Sequence, residues 1–247
     1  MEDMKRSDAK EMGTEMLTDD MGKEDSMERN LRIMEVVEKE LNKRKAESTF
    51  CFSIFLGATS IWVLLVELWE KLGRPIAPPT MTYGVEIIAI IMFIITQVKT
   101  RLKPENLGLN FKNIKPVMIR SVVVSAIIIV AMIVLKLIMK PGEPLLDWST
   151  YNFMYPITSI LQEFLARGFL LSCLMNIYDA KHKKHIAVIV SSLLFTTLHL
   201  YYGFTFMVGA GLLSVLLGYM YLRDKNIWGV SLVHFVFGTM GALLTLT

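Results

Sequence analysis

Cysteine is nearly absent from this chain: two residues in 247, Cys51 and Cys173, both inside apolar runs and neither part of a CxxC pair. A disulfide framework and a metal–thiolate centre are therefore not expected. HExxH, the helical zinc signature, is absent too. The opening residues, MEDMKRSDAKEM, have no apolar stretch of the kind a cleavable signal needs. The first apolar run is instead expected to act as the membrane signal.

Apolar residues are what the chain has in excess. They make up 53% of it, with a mean hydropathy of +0.46, too apolar for a soluble domain of this length. Charge is segregated. The first 45 residues hold 13 acidic and 10 basic side chains, whereas the remainder holds 10 and 16. The reading is of a mixed-charge tail over residues 1–45 and a membrane domain over residues 46–247 with basic loops. Met1–Lys23 shows no periodicity and reads as disordered. From Glu24 to Lys45, Met27, Met34, Val37 and Leu41 recur at heptad-like spacing among charges, which predicts a short amphipathic helix.

Seven apolar runs follow: Phe50–Leu68, Tyr83–Val98, Val117–Leu135, Asn152–Tyr178, Ile186–Leu200, Phe204–Leu222 and Ile227–Leu246. Pro75, Pro78 and Pro79 mark the turn before the second. The fifth is short of the roughly 20 residues that a straight crossing takes. Basic residues gather in alternate loops: Lys43–Lys45, Lys99 to Lys115, Lys181–Lys184, and Arg223 with Lys225. By the positive-inside rule this places the N-terminus in the cytoplasm. The expected fold is all-α, a polytopic membrane helical bundle of about seven transmembrane helices, in the plasma membrane. In the sixth run Ala210, Ser214 and Gly218 stand four apart, a stripe read as close helix packing.

Against this background, ITSILQEFLARGFLLSCLMNIY carries a carboxylate and a guanidinium, Glu163 and Arg167, four residues apart on one helix face. Charges at membrane depth are costly, rare and usually functional. His199 and His234 are the other ionisable groups inside the later runs. At a rise of about 1.5 Å per residue, Glu163, His199 and His234 lie roughly 16, 20 and 10 Å from the ends of their spans. They can thus converge near the bilayer middle. Three chemistries fit: a carboxylate and a histidine activating water while the second histidine binds an oxyanion, a zinc site, or a proton or ion path. Zinc ranks lower without HExxH, and no cofactor is expected. A purely structural Glu–Arg pair is the plain alternative.

Gln162-Glu163-x-x-x-Arg167-Gly168, then Phe195-x-x-x-His199, then His234 within GYMYLRDKNIWGVSLVHFVFG, resembles the CPBP family. These are the CAAX prenyl endopeptidases and bacteriocin-processing proteins, also called Abi. The resemblance covers about residues 152–247. It implies a helical bundle with an intramembrane site and an endopeptidase acting on a membrane-associated peptide or protein, with the lipid bilayer and no nucleic acid as partner. It implies that His199 is the water-activating histidine and His234 the oxyanion histidine, with Glu163 and Arg167 in the glutamate–arginine motif. The sequence departs from the family pattern twice: the first glutamate is Gln162, and the oxyanion asparagine is Gly238. Glu163 is then either the base itself or the supporting half of the site. The alternative function is a non-catalytic homologue that scaffolds or binds peptides.

Overall fold

The structure, a computed structural model, describes residues 26–73, 78–99, 104–199 and 202–246. The tail Met1–Lys23, Pro75, the loop basics Arg101 and Lys103, and Leu200 at the end of the fifth run lie outside them. Among the described residues there are seven α-helices and no strand. They are α1 (Ser26–Lys71), α2 (Pro78–Lys99), α3 (Ile114–Met139), α4 (Tyr155–Ile177), α5 (Lys183–Thr197), α6 (Phe204–Asp224) and α7 (Ile227–Leu243). Helices α1, α3, α4 and α6 are long and apolar enough to cross a membrane, and α7 and Glu86–Ile95 within α2 are shorter apolar helices. The protein is an all-helical bundle integral to the membrane.

Helix α1 joins the predicted amphipathic helix and the first apolar run without a break. No proline or glycine interrupts residues 26–56, so nothing stops the backbone ladder. At about 1.5 Å per residue its 46 residues reach about 69 Å, well beyond a hydrocarbon core of about 30 Å. Its charged half must therefore project out of the membrane.

The bundle is organised around α4, whose positions from Glu163 to Leu174 are all buried. A helix apolar and buried on every side is a core helix. Helices α1, α2, α5, α6 and α7 all pack on it. Helix α3 packs mainly on α7 and exposes Ile119, Val122, Val123, Ile127 and Val130, a stripe suited to lipid. The α3–α7 approach is close at Gly229, where a β-carbon would run into Val117.

Two polar clasps tie the bundle ends. At one, Asn226 caps α7 by accepting from the Gly229 amide at 3.3 Å and donates to the Asn110 carbonyl at 2.9 Å. The Ile227 amide donates to the carbonyl of Gly108, which sits at φ +80° beside Tyr221, a place for glycine. At the other, the buried Lys136 donates to Glu143 at 2.8 Å and to the Thr245 hydroxyl at 3.0 Å. The hydrogen bond from Lys136 holds the Glu143 carboxyl below its ordinary value.

Candidate active site in the membrane

Helix α4 is not a regular α-helix throughout. Tyr155–Glu163 and Ser172–Ile177 are α-helical, but Phe164–Leu171 between them is π-helical. Widened turns of this kind are rare and often stand at functional sites. Ser172 supports this one by donating from Oγ to the Arg167 carbonyl at 3.3 Å.

The wide turn begins where the charges are. Arg167 Nη1 donates to Glu163 Oε1 at 2.8 Å. Its Nη2 donates to both the carbonyl and the Oγ of Ser214 on α6, each at 2.9 Å. The guanidinium also lies over the Phe195 ring of α5, 4.9 Å from its centroid. From α7, His234 Nδ1 reaches the same Glu163 Oε1 at 2.7 Å. A carboxylate only accepts, so Nδ1 carries the proton. Glu163, Arg167 and His234 are 0%, 1% and 3% exposed. Four helices thus meet in one buried ionic knot, which compensates charges that would otherwise be prohibitive in this setting.

Next to the knot lies a cavity of about 240 Å³. Tyr155, Gln162, His199, Tyr202 and Thr239 are among its polar lining, beside Gly238. Glu163, Arg167 and His234 do not line it. The five site residues read from the sequence therefore fall into two groups: three tied together in the knot, and Gln162 with His199 on the cavity wall. His199 Nδ1 contacts the Phe195 carbonyl at 2.9 Å. A carbonyl cannot donate, so Nδ1 holds the hydrogen and the unprotonated lone pair is on Nε2. The Phe195 ring stands between the two histidines, 4.4 Å from His199 and 5.6 Å from His234.

Three residues join the site without having been picked out in the sequence. Ser214, read as part of a packing stripe, accepts twice from Arg167. Glu86 on α2, only 8% exposed, is a buried carboxylate beside Gln162 of α4. A lone carboxylate in the otherwise apolar run Tyr83–Val98 was the available signal. Tyr155 fills the side-chain space of Gly238: a β-carbon at 238 would collide with the tyrosine hydroxyl. Among the described residues no group of three His, Cys, Asp or Glu is arranged to hold a metal ion.

Residues 143–240 match the family model for type II CAAX prenyl endopeptidase Rce1-like proteins. The matched segment runs from the loop before α4 into α7 and contains all five site residues. It agrees with the family resemblance carried by the motifs of α4, α5 and α7. No curated protein and no solved structure matches the chain.

Proposed function

From an Rce1-like segment carried on residues 143–240, we propose that the protein is an intramembrane endopeptidase that cuts a membrane-associated peptide or protein. The observation that carries this reading is His199. Its Nδ1 is held by a backbone carbonyl, which leaves Nε2 as a proton acceptor on the wall of a cavity inside the bundle. In the proposed step Nε2 takes a proton from water as the water oxygen bonds to the peptide carbonyl carbon. The carbonyl oxygen becomes an oxyanion. The carbon–nitrogen bond then breaks, and the imidazolium returns its proton to the leaving amine.

The family's asparagine is replaced by Gly238, and the Tyr155 hydroxyl stands in that space. Tyr155 is assigned the oxyanion, since a hydroxyl donates the hydrogen bond that an amide would. His234, with Nδ1 committed to Glu163 and no place on the cavity wall, stays with the knot. Glu163 and Arg167 hold His234 and the wide turn in place, which makes them the supporting half of the site. The scheme consumes water and no cofactor. The host membrane is proposed to be the plasma membrane, which fractionation of tagged protein checks.

The test is cleavage in proteoliposomes of an internally quenched peptide ending in a farnesylated CAAX sequence, beside its unprenylated counterpart. Wild-type protein is expected to cleave, and His199→Ala to lose about 10²–10⁴ in kcat, the span of a general base. Equal rates for wild type and His199→Ala would sink the proposal. No cleavage by wild type, with cleavage gained in Gln162→Glu, would leave a peptide-binding homologue instead.

A further inference from the structure

The cavity lies toward one end of the bundle. Its wall includes Tyr151 and Asn152 just before α4, Tyr202 between α5 and α6, Phe206 in the first turn of α6 and Ala242 in the last turn of α7. Backbone contacts tie these segments into one end: the Asp147 amide donates to the Leu243 carbonyl at 2.7 Å, which joins the loop before α4 to the end of α7. Lys140 Nζ donates to the Thr245 carbonyl, also at 2.7 Å. Asn152 is exposed, so the cavity wall reaches the surface at this end.

The opposite end is filled and basic. Leu107, Leu174, Leu217, Tyr221 and Ile227 pack there and are fully buried. Arg120 of α3 donates to Asp224 at the end of α6 at 2.7 Å, and Asn110 donates to the Lys225 carbonyl at 3.0 Å. The loops before α3 and before α7 therefore meet. The loop before α5 arrives at the same end, where His185 Nδ1 contacts the Tyr219 hydroxyl of α6 at 2.7 Å. The chain at this end carries Lys112, Lys181, Lys183, Lys184, Arg223 and Lys225. At the cavity end, residues 140–154 carry Lys140 against Glu143 and Asp147. By the positive-inside rule the filled end is cytoplasmic and the cavity end is not.

We infer that the cavity opens to the non-cytoplasmic face, and that its substrate is a peptide segment presented on that face with uncharged side chains on both sides of the scissile bond. The inference rests on the endopeptidase reading above and narrows its substrate class. The side follows from the end: a peptide held at the cytoplasmic face meets the filled core before it meets His199. The lack of charge follows from the wall. Among the described residues, none that lines the cavity is Asp, Glu, Lys or Arg. The nearest such pair, Glu163 and Arg167, is committed to itself. A charged side chain brought inside would lose its water and find no ion to replace it.

The test uses proteoliposomes of low copy number whose protein carries an N-terminal affinity tag. A resin separates vesicles with the tail outside from those with the tail inside. An internally quenched peptide with an uncharged core and membrane-impermeant sulfonated dyes at its ends is added outside. Tail-inside vesicles should cleave it while intact, and tail-outside vesicles only once detergent opens them. Cleavage by intact tail-outside vesicles, or by neither kind until detergent is added, overturns the sidedness. A lysine or an aspartate placed beside the scissile bond should lower kcat/KM about tenfold or more, and an unchanged value overturns the charge requirement. In whole cells an added protease should cut the tag only after lysis; cutting in intact cells turns the cavity to the cytoplasm and overturns the substrate class. Wild-type protein that cleaves neither this peptide nor the farnesylated one, even in detergent, overturns the endopeptidase reading and this inference together.

Discussion

Gln162 and Glu163 are neighbours on one helix, about 100° apart around its axis, yet they face opposite kinds of environment. On the Glu163 side the charges are paired: Glu163, Arg167, Ser214 and His234 close a knot across three helices, with Glu163 Oε2 the one carboxylate oxygen left without a partner there. On the Gln162 side the groups are neutral or singly held: the amide of Gln162, the imidazole of His199, the phenol of Tyr155. Committed valences make a scaffold, and uncommitted ones make chemistry. The formal charge of α4 thus marks where the bundle is fastened, whereas the reaction is proposed one residue away, on the cavity.

The comparison breaks most severely if the fastened side is opened. Arg167→Ala leaves Glu163 buried beside a histidine without its cation, which should cost about 3–5 kcal/mol. The expected result in detergent is a much lower unfolding temperature or no folded protein. A variant that unfolds like wild type and has lost only activity would move Arg167 to the chemical side.

The cavity side should respond in the opposite manner. Tyr155→Phe removes one hydroxyl and should lower kcat by about 10²-fold, at the lower end of what an oxyanion donor supplies. Its unfolding temperature should hardly move, because the ring stays in place. Equal kcat for Tyr155→Phe and wild type would remove Tyr155 from the reaction.

The smallest effect is expected far from both faces, at the Lys136–Glu143 clasp. Glu143 has a depressed pKa in the folded protein, chiefly through its hydrogen bond from Lys136. Its contribution is present above the unfolded value near 4.5 and is lost as the pH falls through the lower folded value. Below pH 4.5, wild type should lose a small increment of stability that Glu143→Gln does not. Parallel pH–stability curves would show the clasp to be inert.

Much of this was legible in the residues. The seven apolar runs correspond to the seven helices, because hydrophobic length survives any detail of packing. The Glu163–Arg167 contact follows from four-residue spacing alone. What was not legible is what joins separate helices. His234 reaches Glu163 across 71 residues of chain, and no local pattern encodes that pairing. The π-helical turn at Phe164–Leu171 has no residue signature in FLARGFLL; it accompanies side chains held by α5, α6 and α7. Ser214 reads as packing in the sequence because a small hydroxyl in a small-residue stripe is indistinguishable from filler until an arginine arrives from another helix. Glu86 is one carboxylate in an apolar run, and nothing in TYGVEIIAIIMFII says that α4 lies against it. The amphipathic helix and the first span run on as one helix, since AESTFCFSIF contains nothing that ends a helix.

Gly238 and Tyr155 share one volume: what the backbone of α7 leaves out at 238, the ring of α4 fills. The two positions are therefore a single choice made twice. An asparagine at 238 needs the Tyr155 ring turned away or residue 155 made smaller, and the ring keeps its present place because residue 238 has no side chain. Placing asparagine at 238 alone, however faithful to a family pattern, drives its β-carbon into the Tyr155 ring where that ring now stands. Any redesign of this chain, and any comparison of it with a sequence that carries asparagine there, has to treat residues 155 and 238 as one letter.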